Sequence, residues 1–268
     1  MEFKQKLIQQ LPDKLFVNLK KWGWYGNFKT WQEAQNKSAG YETEAIIEKV
    51  ASSLLKVKNG EAVYERDSVL FDKIEYSWEL LATLMWVAAQ NEGVLNLIDF
   101  GGSLGSTYYQ NKKILDKLNQ VSWNIVEQPI FVKVGIESFQ NETLKFYHSM
   151  NDCCSEHNKR IDVILFSGVL QYVETPFDFL KEAFGFGIKY IIVDRTGFTL
   201  NNKQRITIQK VPLRIYDATY PCRFFSEKEF LAFFENNNYE LVADFDALDI
   251  VNVPSKYKGF IFQLKDFA

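Results

Sequence analysis

The sequence predicts an α/β protein: a doubly wound, mainly parallel sheet of seven strands behind an N-terminal helical cap. Three observations predict it. From Val94 onward, short apolar runs alternate with amphipathic helical stretches. The first of these runs ends in an acid followed by a cluster of glycines, Asp99-Phe-Gly-Gly-Ser-Leu-Gly105. The last two runs, 239–245 and 259–264, have no helical stretch between them and read as a closing strand pair. Alternating strands and helices bury a parallel sheet between two helical layers.

The elements follow in order. Trp22, Trp24 and Trp31 cluster with Gly23 and Gly26 in a stretch of little periodicity, read as loop. Ile46, Ile47, Val50, Leu54 and Leu55 recur at three- and four-residue spacing and predict a helix over 41–56. Asn59-Gly60 is a turn signal. Residues 1–75 hold few core positions and are expected to form the cap; 76–268 form the main domain, opening on a helix over 77–91. Strands are predicted at 95–100, 123–127, 144–147, 162–167 and 190–194, the fourth apolar enough to be buried on both faces. A helix over 108–119 presents Ile114, Leu115 and Leu118 on one face, and a helix over 176–184 starts at Pro176, where a missing N–H costs nothing. Residues 195–225 interrupt the alternation as a long irregular insertion. Ser226 and Glu229 then form a capping box opening a helix over 227–237.

The 268 residues suffice for one large domain with its own core. With 47% hydrophobic and 24% charged residues, 14 Gly and 6 Pro, collagenous and disordered classes are excluded. The 31 basic and 34 acidic side chains leave −3, so no positive excess draws nucleic acid. Three cysteines, two adjacent, do not make a disulfide framework. With two histidines and no Cys-x-x-Cys, no metal site is expected. The amino terminus lacks the apolar run of a signal peptide, and no apolar stretch reaches the roughly 20 residues of a membrane span, so a cytoplasmic protein is expected. The surplus is aromatic, 23 Phe, 13 Tyr and 6 Trp, which suits a ring-packed core or a stacking surface for a ligand.

The acid–glycine loop falls where open α/β sheets bind ligands, after the first strand and before its helix. Glycines there let backbone approach a ligand and aim amides at it. Glu127 ends the second strand, where a carboxylate suits the two hydroxyls of a ribose. A dinucleotide fingerprint aligned on Gly102 and Gly105 would begin at Phe100, and Asp99 would repel a pyrophosphate. S-adenosylmethionine (SAM), bearing a sulfonium and an ammonium, is attracted instead.

At these residues the chain resembles the class I SAM-dependent methyltransferases. Asp99-x-Gly101-x-Ser103-x-Gly105 is similar to their first motif, with Ser103 in place of the usual middle glycine, and Glu127 to their ribose-binding acid. Residues 162–174 look like their fourth-strand motif, with Gln171 where many relatives carry histidine, and 239–264 like their closing strand pair. The resemblance covers about residues 77–268. It implies a Rossmann-like methyltransferase fold and a SAM site drawn from Asp99, Gly101, Gly102, Ser103, Gly105, Glu127, Gln128, Ser149, Asp152, Ser167 and Gln171. Ser149 or Asp152 would accept the adenine amino group, unless both belong to an ordinary polar loop. A narrower resemblance rests on Asp99-Phe-Gly-Gly-Ser-Leu-Gly-Ser, Trp123-Asn-Ile-Val-Glu-Gln-Pro129, Val169-Leu-Gln-Tyr172, Asp194-Arg-Thr196, Tyr216-Asp-Ala-Thr-Tyr-Pro221 and the Trp22–Trp31 stretch. These look like a bacterial methyltransferase family encoded beside enzymes of surface-polysaccharide synthesis.

The acceptor is expected between the cap and the insertion, which carries Arg195, Arg205, Lys210, Arg214 and Arg223. Long insertions in compact domains are usually functional. Arg195 and Arg214 could hold a phosphate or carboxylate, as on a nucleotide-sugar, and Tyr172 and Tyr216 could line the acceptor. The other reading is that 205–211 is an edge strand whose basic residues discourage pairing. Asp194 is the candidate general base for a hydroxyl acceptor. The alternatives are a SAM-binding module of a glycan-assembly complex without turnover, and an NAD-dependent oxidoreductase, which the glycine pattern opposes. Cys153 and Cys154 are small apolar fillers, and His157 a solvated loop residue.

Overall fold

The computed structural model describes residues 22–39, 43–156, 161–213, 215, 217–247, 249 and 251–265, without the side chains of 43–45. In chain order the elements are β1 (Gly23–Phe28), α1 (Trp31–Asn36), α2 (Thr43–Lys58), β2 (Tyr64–Arg66), β3 (Val69–Phe71), α3 (Trp78–Ala89), β4 (Val94–Phe100), α4 (Ser106–Leu115), β5 (Gln120–Val126) and α5 (Pro129–Ser138). They continue with β6 (Leu144–Tyr147), α6 (Met150–Glu156), β7 (Val163–Ser167), a 3-10 turn (Leu170–Tyr172), α7 (Pro176–Gly185), β8 (Tyr190–Thr199), β9 (Arg205–Lys210), β10 (Thr219–Phe224), α8 (Glu227–Glu235), β11 (Tyr239–Asp246) and β12 (Ser255–Leu264).

Seven strands form one sheet in the order β11-β12-β8-β7-β4-β5-β6. The pairs β4/β5, β4/β7, β5/β6 and β7/β8 are parallel, and β12 runs antiparallel to both its neighbours. The doubly wound, mainly parallel sheet is therefore present, closed by the expected strand pair. Strand order reverses between β4 and β7, and at such a switch point the crossovers leave a crevice above the carboxyl ends.

The alternation of side chains along the strands divides the core. Leu97, Trp123, Ile125, Leu165 and Ile192 pack against α2–α5 through Leu54, Leu84, Tyr108 and Val132. Ile98, Ile164, Phe166, Ile191 and Val193 face the other way, against Leu180, Phe230 and Phe234 of α7 and α8. Much of the aromatic surplus lies in that second layer. Phe234 stacks on Phe262 at 3.7 Å, and Phe198, Phe225, Phe230 and Phe260 form one network. The predicted caps hold: Ser226 Oγ accepts from the Glu229 amide at 3.3 Å, and Pro176 opens α7.

Two stretches depart from the sequence reading. The tryptophan-rich stretch is a strand, β1, and the insertion contains the hairpin β9–β10; together they form a three-stranded sheet in the order β1-β9-β10. β9 is central, so its basic residues do not protect an edge. Trp24 is sealed in by Asn252, whose side-chain oxygen accepts from the Trp24 amide at 2.7 Å and whose nitrogen donates to its carbonyl at 2.9 Å. β8 likewise does not stop at Asp194. It bulges there, because Val193 pairs with Phe260 and Thr196 with Lys258, leaving Asp194 and Arg195 opposite Gly259 alone. Arg195 takes a left-handed φ of 48° at the bulge. Such bulges re-aim side chains at sheet edges.

Candidate ligand site at the sheet switch point

Parallel pairing sets Asp99 beside Leu165 of β7 and Ile125 of β5, at the carboxyl edge. The loop then turns tightly. Gly101 has φ +71°, and a Cβ there would lie 2.3 Å from Val169 Cγ2; a Cβ on Gly102 would lie 2.5 Å from the Asp99 carboxyl group. Both glycines are thus required by close approach, and Gly101 by conformation as well. Ser103, at the position of the family's middle glycine, takes φ 54°. Gly105 caps α4 in a left-handed conformation.

Three carboxyl groups, two of them buried and that of Glu127 half-buried, converge on this loop. Asp99 is 1% exposed, and its Oδ2 accepts from Trp123 Nε1 at 3.0 Å. Burial pushes its pKa up to about 7; Trp123 and Arg195 act against that shift, and Glu127 adds to it. Glu127 at the end of β5 accepts from the Gln128 amide at 2.6 Å and from the Ser103 amide, and burial raises its pKa too. The third is Glu65, from the β2–β3 hairpin. Its Oε2 accepts from Ser106 Oγ at the start of α4 and its Oε1 from the Ser68 amide, both at 2.6 Å, and burial again raises its pKa. Sequence reading missed Glu65. The one available signal was the short Tyr64–Phe71 run with Asp67-Ser68 at its centre, a hairpin whose turn residues both have positive φ.

These groups line a cavity of about 730 Å³. Asp99, Gly101, Gly102, Ser103, Glu127, Gln128, Ser167, Tyr172 and Arg195 all reach it, as the sequence suggested. Gly105 stands just behind, packed toward Leu144 and Ile125. Other candidates are employed elsewhere. Gln171 is buried and donates to the Arg195 carbonyl at 3.1 Å, bracing the bulge rather than facing the cavity. Ser149 and Asp152 satisfy each other at the start of α6, with the Asp152 amide donating to Ser149 Oγ at 3.0 Å, and neither lines the cavity. Arg214, Tyr216 and His157 lie outside the described residues.

Asp194 faces a smaller chamber of about 90 Å³ behind Arg195, shared with Tyr64, Arg66, Glu75, Glu79 and Asp246. Its Oδ2 accepts from Ser167 Oγ at 3.0 Å and its buried Oδ1 has no hydrogen-bond partner; burial raises its pKa. The Arg195 guanidinium stands between the chambers, 4.0 Å from Asp194 Oδ2. Burial works to lower its pKa, and Asp67, Asp194 and Asp249 around it outweigh burial and raise it. Its charge is therefore already compensated. Two further insertion cations, Arg205 and Arg223, brace the fold. Arg205 Nε donates to the Gly26 carbonyl at 2.9 Å, and Arg223 donates to the Glu174 carbonyl at 2.7 Å and to Gln204 Oε1 at 3.2 Å. A basic insertion thus does not make a basic cavity, whose charged lining is Glu65, Asp67, Asp99 and Glu127 against Arg66 and Arg195.

Two Tyr-x-x-x-Lys spacings, Tyr108/Lys112 and Tyr109/Lys113, fall on α4 without reviving an oxidoreductase. Tyr108 packs its ring on Trp123, Lys112 pairs with Asp116 at 2.7 Å, and none of the four residues lines the cavity. Cys153 is equally inert, its thiol pushed up to about 12 by burial. Among the described residues no group of acids, cysteines and histidines could hold a metal, and no helix is long and apolar enough to cross a membrane.

No family model matches the sequence, and no curated protein does. Solved structures similar to it include a magnesium protoporphyrin IX methyltransferase from Synechocystis with bound SAM, 11% identical, covering 70% of this chain and 79% of that one at a TM-score of 0.45. A 1,6-didemethyltoxoflavin N1-methyltransferase from Burkholderia thailandensis is 13% identical over 84% of this chain and 92% of that one, at 0.43. A SAM-dependent methyltransferase from Methanosarcina mazei is 12% identical over 66% and 96%, at 0.48. At these values the likeness says nothing of activity or substrate. What the strand order and directions themselves establish is a seven-stranded, doubly wound Rossmann-like sheet with an acidic cavity at its switch point.

Proposed function

We propose that the chain binds SAM and transfers its methyl group to a small acceptor. One observation carries this reading: three carboxyl groups, the buried Glu65 and Asp99 and the half-buried Glu127, gather around a glycine loop at the switch point of a doubly wound sheet. Buried acids of one sign repel one another and raise each other's pKa, so they favour a ligand that brings positive charge. The donor set fits that ligand. Asp99 and Glu65 lie on the cationic side, and Glu127, held by two backbone amides, keeps a carboxylate at the end of β5 where a ribose diol would be gripped. A bound SAM would supply an activated methyl group. The chain's own part is to orient it, align the acceptor and exclude water.

The acceptor reading rests on the wall built by α1 and β10, where the N-terminal stretch meets the insertion. The resemblance to a methyltransferase family encoded beside enzymes of surface-polysaccharide synthesis suggests a sugar-containing acceptor there. A phosphate or carboxylate group is poorly served, because acids already surround Arg195. A second reading, a SAM-binding module without turnover, is favoured by the orientation of Asp194, the one candidate base, into the side chamber.

Titration calorimetry with SAM, its demethylated product S-adenosylhomocysteine (SAH) and NAD tests the first claim. SAM and SAH should bind, and NAD should not. Binding of NAD alone would overturn the reading. Mass spectrometry of glycan and nucleotide-sugar pools with and without the gene tests turnover, with a 14-dalton shift (one CH₂) expected.

A further inference from the structure

Charge is unevenly distributed around the cavity. Every charged side chain in its lining belongs to the β2–β3 hairpin, to the ends of β4 and β5, or to the β8 bulge. The stretch of wall contributed by Trp31, Gln35, Ser38, Thr219, Tyr220 and Tyr172 has no ionisable group to set against a charged ligand beyond tyrosine hydroxyls. The geometry of that wall presents rings rather than polar heads. The Tyr172 hydroxyl is turned into the small core behind the wall, where it reaches the Cys222 thiol, so only ring surface remains toward the cavity. Tyr220 meets the Tyr172 ring edge to face at 5.4 Å. Trp31 is backed by the Arg223 guanidinium at 5.5 Å, itself fixed by the Glu174 carbonyl and Gln204. Of the small polar groups, Thr219 Oγ1 accepts from the Ala39 amide at 2.7 Å and Ser38 Oγ donates to the Ala34 carbonyl at 2.9 Å, so both serve the wall itself.

We infer that this wall is a subsite for an uncharged, hydroxylated ring, with Trp31 and Tyr172 offering the stacking surface. This rests on the reading of the glycine-loop end as the cofactor side, and it replaces the anionic acceptor suggested by the basic insertion. An apolar ring face matches aromatic side chains, and the ring's hydroxyl rim needs no counter-charge. A phosphorylated ligand would have to leave water for a cavity with a surplus of acids; of the two cations in its lining, Arg66 sits between Glu65 and Asp67 on the hairpin and Arg195 is already partnered. The shared chemistry has two sources, a saturated sugar ring and a phenolic ring.

Saturation-transfer NMR and titration on the full chain saturated with SAH separate them, with methyl α-glucopyranoside, catechol and glucose 1-phosphate as probes. At least one neutral probe should bind, and more tightly than glucose 1-phosphate. Trp31→Ala should weaken that probe roughly tenfold, Trp31→Phe less, with SAH affinity unchanged in both. A melting curve and the retained SAH affinity show that each variant is folded. The inference is overturned if glucose 1-phosphate binds best and loses its affinity in Arg195→Gln. It is equally overturned if neither neutral probe binds, or if Trp31→Ala leaves a bound probe unaffected. Should SAH itself fail to bind, the cofactor reading falls, and the same probes on the ligand-free protein still score the wall.

Discussion

Asp99 is where sequence and environment combine most closely. Its side chain is buried under Gly102 and hydrogen-bonded to Trp123, and burial lifts its pKa to about 7. A cationic ligand binds the ionised form, so its affinity should rise as pH rises through 7. At pH 6 only about one molecule in ten is ready, and the dissociation constant of SAM should be about tenfold higher than at pH 8. Asp99→Asn should flatten that profile, and calorimetry in buffers of different ionisation enthalpy should register proton release on binding. The stability of the ligand-free protein has the opposite sign. A carboxyl group whose folded pKa lies above its unfolded one stabilises the fold at low pH, and that contribution is lost as pH rises toward 7. Glu65 makes a second prediction at this scale. Glu65→Gln preserves size while removing a charge, and SAM affinity should fall about tenfold; unchanged affinity would mean that the hairpin merely braces α4. Ser103 makes a third. Its φ of 54° costs a non-glycine residue about 1 kcal/mol, so Ser103→Gly should be neutral to stabilising by up to about that amount in thermal unfolding.

Elements were legible where their periodicity was strong and local. The parallel strands β4 to β8 are short apolar runs bounded by turns; half of their ends fall where the sequence puts them, and only the end of β8 moves by more than three residues. β1 was not legible, because Trp22-Gly-Trp-Tyr-Gly-Asn-Phe28 contains two glycines and no clean alternation. Its partner β9 is about 180 residues away, and pairing between them, together with Asn252, is what makes it a strand. Asn252→Ala should therefore cost about 1–3 kcal/mol, by leaving a buried Trp24 amide and carbonyl without partners. Hydrogen exchange should accelerate at Trp24 and along β9 while β4 to β7 remain protected; equal acceleration throughout would show that the small sheet does not open independently. β8 was read as ending at Asp194 because Asp-Arg-Thr is polar. The bulge carries Arg195 to the cavity edge and turns Asp194 into the side chamber, and the strand resumes against β12.

For the whole molecule, the binding cavity joins elements far apart in the chain. The β2–β3 hairpin and the segment that follows it are tied to α4 by the Glu65–Ser106 and Gln110–Glu75 hydrogen bonds, while Lys49 of α2 bonds to the Ile215 carbonyl of the insertion. A ligand held between them should stabilise both at once. At a hundredfold excess over its dissociation constant SAH should add about 2.7 kcal/mol, and exchange should slow over 43–71 as well as over the glycine loop. Protection limited to the loop would show that the N-terminal elements do not enclose the ligand. The sequence alone determined the parallel sheet, its switch-point loop with Asp99 and the two close-packed glycines, and Glu127 at the next strand end. Hydrophobic period and strand-end chemistry are local properties, written within a few consecutive residues. Only the tertiary structure decided that Glu65 joins those acids, that Gln171, Arg205 and Arg223 brace the fold, and that Asp194 faces a side chamber. It also decided that the basic insertion leaves the cavity acidic. Each of these depends on which distant backbone carbonyl, amide or carboxyl group a side chain meets, and that partner is fixed by strand pairing across the chain rather than by neighbours in sequence.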